Sequence, residues 1–189
     1  MDPTLIVILI VLVVIIGGGI LLYNGLVQQR LRVDEAWAQI DVQLKRRHDL
    51  IPNLVEAVKG YMKFEQNVLQ NVTNARAAAV AAGGQGPAAQ AAAENQLTRT
   101  LRSLFAVVEN YPDLKANQNV LALQEQVTTT ENQIAFSRQH YNATVMQYNT
   151  SIATFPSMLL AGPFGFARRE FFEAEPEAQQ VPQVDLTLS

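Results

Sequence analysis

The side chains in this sequence that could do chemistry are few and regularly spaced. Gln124, Glu131 and Arg138 recur at seven-residue intervals, and Val145 and Ile152 continue the series. The dipeptide Tyr-Asn occurs twice at the same interval, as Tyr141-Asn142 and Tyr148-Asn149. Arg47, Glu65, Arg76 and Glu109 stand on or beside apolar stripes elsewhere in the chain. Acids and bases on such faces point toward a core, where an ionised group must pair because removing its partner costs about 3–5 kcal/mol. Two uses are open at this point. One is a buried polar layer that fixes which helix meets which and in what register; the other is a ligand or proton site inside a helical bundle.

Catalytic constellations are not supplied by the spacing. A diiron bundle needs Glu-x-x-His on two facing helices, but three residues before His48 and His140, the only histidines, stand Lys45 and Ser137. Cysteine is absent, which removes disulfides, thiolate nucleophiles and Cys-ligated zinc. Gly83-Gly84-Gln85-Gly86-Pro87 has no Lys-Ser/Thr after it and no strand before it, so it reads as a linker rather than a phosphate loop. A carboxylate pair for hydrolysis could be assembled from Glu65, Glu109 and Glu131, yet nothing in their spacing selects them. The expectation is a protein that is not an enzyme, with no catalytic residue, no cofactor and no metal. The net charge of −3 argues against a nucleic-acid partner.

The element that positions everything else is the run Leu5 to Leu22, uncharged throughout and almost all Leu, Ile or Val. At 1.5 Å per residue it spans about 27 Å, enough to cross a bilayer core. A cleavable signal peptide would want a basic start and a shorter apolar segment, whereas Met1-Asp2-Pro3-Thr4 carries an acid. Gly17, Gly18 and Gly19 interrupt the run with small residues; in lipid these let a second helix approach closely, and a locally bent helix explains them equally well. No Lys or Arg precedes the span, while Arg30, Arg32, Lys45, Arg46 and Arg47 follow it. By the positive-inside rule the N-terminus is expected outside and the bulk of the chain in the cytoplasm, after a single pass through the membrane.

Past Tyr23 the pattern turns amphipathic without a break. Trp37, Ile40, Leu44, Ile51, Leu54, Val58, Tyr61, Val68 and Val72 step by threes and fours or their sums, the helical signature. With Asp49 as cap and Pro52 in a first turn, the spacing predicts a reversal there, helix one ending near His48 and helix two running to about Ala82; a kinked continuous helix is the alternative. Helix three is expected from about Ala88 to Asn110, ended by Pro112. Helix four follows, capped by Asn117 or Asn119, with Val120, Val127, Ile134, Tyr141, Tyr148 and Phe155 every seven residues, the coiled-coil period of near-parallel packing. The fold class is therefore all-α: an N-terminal transmembrane helix continuous with an up-and-down four-helix bundle.

An even number of passes brings Phe155 back to the membrane. Phe164, Phe166, Arg168 and Arg169 would lie at that end, either on the headgroup boundary or packed across the open end of the bundle. The expected organisation is a short N-terminal segment (1–4), the span (5–22), a bundle domain (23–172) and an acidic, Pro- and Gln-rich disordered tail (173–189).

The residues Tyr23-Asn-Gly-Leu-Val27, Ile40 to Leu54, Val58-Lys-Gly-Tyr61, Val72 to Arg76, Glu109-Asn-Tyr-Pro-Asp-Leu-Lys-Ala-Asn117, Glu131-Asn132, Arg138, Tyr141-Asn142, Tyr148-Asn149, Phe155-Pro156 and Gly165-Phe166 together resemble the LemA family of bacterial membrane proteins. The resemblance covers essentially Tyr23 to Glu173. It implies an N-terminal anchor, a helical-bundle domain and no established enzymatic activity. It further implies links to membrane organelle assembly or to membrane peptidases as partners. Where the family usually carries His-Glu after Lys-Gly-Tyr, this chain has Phe64-Glu65. The function expected is a membrane-anchored scaffold, contacting lipid and assembling with itself or with other membrane proteins; the alternative is a membrane-tethered sensor or adaptor that binds a small ligand or a peptidase through its buried polar residues.

Overall fold

The computed structural model describes residues 2–62 and 65–172. Every regular element among them is a helix: α1 (Pro3–Lys59), α2 (Gln66–Ala81), α3 (Pro87–Val108), α4 (Pro112–Ala116), α5 (Gln118–Ala153) and α6 (Met158–Ala161). The expected disordered tail lies outside the described residues. The described residues fall into two compact units, one from residues 2–42 with Phe136–Glu170, the other from residues 43–62 and 65–135 with Phe171 and Phe172.

α1 is 57 residues long and begins with a stretch apolar and long enough to cross a membrane, none of it buried. From Val33 its inward face runs Ala36, Ile40, Leu44, Arg47, Ile51, Leu54 and Val58, all buried and spaced by threes and fours. The phase is unbroken at Pro52. Helix one therefore does not end near His48 but runs on to Lys59, and the helix that ends at Ala81 starts only at Gln66 and is about 24 Å long. An interior proline is costly because it orphans the carbonyl four residues back, here that of His48. That carbonyl accepts a hydrogen bond from Arg76 Nε at 2.7 Å, a side chain on α2. Pro52 itself is exposed, so the missing donor faces no core.

In the second unit four helical segments, from α1, α2, α3 and α5, surround one core of Ile51, Leu54, Val58, Leu69, Val72, Leu97, Leu101, Leu104, Val120 and Val127. Gly84 and Gly86 adopt φ of +82° and +105° in the connection to α3, where Pro87 opens the helix, as the linker reading required. Asn117 caps α5: its Oδ1 accepts from the amides of Asn119 (3.0 Å) and Val120 (3.3 Å). The single turn α4, with Leu114 buried, occupies the stretch expected as a plain connection.

In the first unit α1 and α5 bury Leu26, Val33, Ala36 and Ile40 with Tyr141, Val145, Tyr148 and Ile152, and the segment after α5 folds over them through Ala161 and Phe166. Tyr148 and Tyr141 thus continue the seven-residue stripe inward, whereas Phe155, its last member, is 76% exposed.

Candidate functional site

The polar side chains of the second unit converge on Arg47. This side chain is enclosed, 1% exposed, because it occupies a core position of α1 between Leu44 and Ile51. Its Nη2 pairs with Glu94 Oε2 and its Nη1 with Glu131 Oε1. Nη1 also donates to Thr98 Oγ1 at 2.8 Å, and the same hydroxyl donates to Glu131 Oε2 at 3.1 Å. On the far side of Glu94, His48 Nε2 lies 2.9 Å from Oε1. Three helices therefore meet at one guanidinium: α1 supplies Arg47 and His48, α3 supplies Glu94 and Thr98, and α5 supplies Glu131. A guanidinium can engage two carboxylates at once through its forked donors, and the pairing fixes relative register as well as distance.

Of the residues singled out in the sequence, Arg47, Arg76 and Glu131 belong to this cluster or its border. Glu65 does not; it is half-buried at the start of α2 and makes no side-chain cap. Glu109 is exposed, which corrects its place in a buried layer: it follows Val108, the last inward residue of α3, and is turned about 100° away from that face. Glu94 is the residue that sequence reading missed. It is fully buried and precedes Leu97, Leu101 and Leu104 at the spacing of the same stripe. That spacing was the signal, obscured by an alanine-rich neighbourhood.

Gln124 is half-buried on α5 in the second unit; the other singled-out residues lie in the first unit, where several form a second constellation. Asn149 grips the main chain of Arg169 at two points, its Nδ2 donating to the carbonyl and its Oδ1 accepting from the amide, each at 2.9 Å. Tyr141 donates its hydroxyl to the Glu170 carbonyl at 2.8 Å and packs against Trp37, ring centres 5.2 Å apart. Burial raises the phenol pKa of Tyr141 and of Tyr148, against the lowering pull of the Arg169 charge. Arg169 pairs with Asp34 at 2.8 Å on an exposed surface. Tyr23, directly after the apolar run, meets Phe164 and Phe166 edge-on at 5.1 and 5.6 Å, and Arg30 lies over the Phe166 ring at 5.2 Å. Phe166 is buried; Phe164 and Arg168 are exposed. Arg138 and Asn142 are half-buried on α5.

Among the described residues no group of His, Asp and Glu has the disposition of a metal site. What both constellations can do is hold helices and a returning segment in one register.

Comparison with known proteins gives a consistent picture. The pattern defining the LemA family matches residues 36–186. Magnetosome protein MamQ 2 of Paramagnetospirillum magneticum is 25% identical over 181 residues, covering 83% of this chain and 66% of that protein. Magnetosome protein MamQ of Magnetospirillum gryphiswaldense is 24% identical with the same coverage. Protein LemA of Metamycoplasma hominis is 23% identical over 166 residues, 88% of this chain and 74% of the relative. The chain thus spans 66% of the length of the magnetosome proteins it matches.

Proposed function

The chain belongs to the LemA family, and from that premise we propose that it is a non-enzymatic, membrane-anchored scaffold that assembles with copies of itself or with another membrane protein. The observation carrying this reading is the closure of the Arg47 cluster. Arg47 and Glu94 are 1% and 0% exposed and are directed at each other, so their charge is spent on holding helices together rather than offered to a substrate. Leu5 to Leu22 serves as the single-pass anchor, with the N-terminus outside and the domain 23–172 in the cytoplasm. The magnetosome names of two relatives support a role in organising a membrane.

Self-association through the span is tested at Gly18. A Cβ there meets nothing within 4 Å in this chain, so Gly18→Leu introduces no clash at its Cβ and obstructs the approach of another helix. In detergent the protein is expected well above the mass of one chain with its micelle, and Gly18→Leu is expected to lower that mass. A monomer indifferent to the substitution removes self-assembly through the span. Crosslinking in native membranes followed by mass spectrometry identifies any other partner, and protease protection reads the topology.

A second reading, a sensor or adaptor for a small ligand, is favoured by one feature. A groove of about 590 Å³ lies between the end of α1 and the start of α2, lined by Val55, Lys59, Met62 and Leu69 among others. The volume is in the range of small-molecule sites. A ligand there raises the melting temperature, and the rise grows with the logarithm of ligand concentration once that exceeds Kd; an unchanged melt across a metabolite set leaves the scaffold reading alone.

A further inference from the structure

The segment between α5 and the Asn149 grip carries large apolar side chains that the chain itself does not cover. Phe155 is 76% exposed, Leu159 61%, Phe164 56% and Met158 52%. These residues are not scattered. Phe164 stacks edge-on against Tyr23, whose neighbour Leu22 is the last residue of the apolar run, so the patch begins at the level where that run ends. From there the chain climbs beside α1: Phe166 lies under Arg30, and Arg169 pairs with Asp34, about 10 and 16 Å further along α1 at 1.5 Å per residue.

A second property of the segment is its internal hydrogen bonding. Although α6 is a single turn between prolines, the amides of Met158, Leu159, Leu160, Ala161, Phe164, Gly165 and Phe166 each donate to a carbonyl within residues 154–162. Irregular backbone is excluded from low-dielectric surroundings chiefly by unpaired amides. Here seven of them are already paired, which lowers the cost of leaving water.

We infer that residues 155–164 form a collar that inserts Phe155, Met158, Leu159 and Phe164 into the headgroup–acyl boundary of the bilayer crossed by Leu5 to Leu22. Lipid is the occupant because the patch is continuous with the span through the Tyr23–Phe164 contact, and because aromatic side chains favour that boundary. The collar gives the anchored domain a second foothold, setting the depth of Tyr23. The inference rests on the membrane-crossing reading of the span, and the test separates the two.

The chain has no cysteine, so a single introduced thiol takes a single label. Phe155→Cys, Leu159→Cys and Phe164→Cys are each labelled with bimane and the full chain is reconstituted into phosphatidylcholine–phosphatidylglycerol vesicles. Leu12→Cys reports the span and Gln126→Cys an exposed position on α5. Helical circular dichroism confirms that each variant is folded. A nitroxide lipid labelled near the headgroup is expected to cut emission from the three collar sites about twofold or more, and more than a nitroxide at the acyl end, since amphipathic segments bury about 5–10 Å deep. Leu12 is expected to show the reverse depth order and Gln126 no quenching. Collar labels quenched by aqueous iodide and not by lipid overturn the inference while leaving the anchor intact. Collar labels shielded from both quenchers also overturn it, since protein then covers the patch. A Leu12 label that lipid does not quench sinks the membrane-crossing reading itself.

Discussion

Glu94 has no exposed surface and meets a guanidinium on one side and an imidazole nitrogen on the other. Glu94→Ala leaves Arg47 enclosed with half its counter-charge, and the expected loss is about 3–5 kcal/mol of unfolding free energy, read from the urea midpoint. The combined replacement Arg47→Met, Glu94→Leu, Glu131→Leu removes charge and countercharge together and is expected to cost much less than Glu94→Ala alone. Equal losses would show that the cost does not come from leaving an enclosed charge without its partner. Arg76 has a different task, satisfying the carbonyl that Pro52 frees. Arg76→Ala is expected to cost about 1–3 kcal/mol, and less in a Pro52→Ala background, where the restored helical amide takes over; a double-mutant cycle measures the difference. The two buried tyrosines add a pH dependence. Their phenols are held above the usual value of about 10, so the folded state keeps those protons more firmly than the unfolded one. That contribution is complete below the unfolded value and is lost as the pH rises through the folded-state values. Thermal melts carried into strongly alkaline buffer are expected to fall, and to fall less steeply in Tyr148→Phe.

Among the elements, α5 depends on its start. Asn117 satisfies two orphan amides, and Asn117→Ala is expected to cost about 1 kcal/mol of stability. This cap, the glycine linker before α3 and the seven-residue stripe of α5 could all be read from the sequence because each is written locally. The end of α1 was harder. Pro52 after Asp49 imitates a helix start, and that signal outweighed the unbroken phase of Ile51, Leu54 and Val58 across the proline. The deciding partner, Arg76, lies on another helix, and no local rule reveals that it will reach the His48 carbonyl. Glu94 stayed hidden for a related reason. An acid in an alanine-rich turn resembles a solvated position until the stripe of Leu97, Leu101 and Leu104 is extended backward. The polar layer read as one feature is two constellations, since a seven-residue repeat gives the facing side of a helix but not what faces it at each level.

For the molecule as a whole, the anchor and the core are drawn from different residues. Among the described residues every buried apolar side chain lies at or beyond Leu26, while Leu5 to Ile16 are exposed throughout. Deleting residues 1–22 is therefore expected to remove the permanent anchor, leaving only the reversible hold of the collar, while the helical circular dichroism per residue and the melting temperature are retained. A collapse of the helical signal would show that the span contributes to the fold.

The grip of Asn149 on the amide and carbonyl of Arg169, together with the hold of Tyr141 on the Glu170 carbonyl, takes no notice of which amino acids stand there. At residues 169 and 170 the path of the returning strip is thereby written into α5 rather than into the strip itself. Other side chains can stand at those two positions without redrawing it, proline at 169 excepted because it has no amide to give to Asn149.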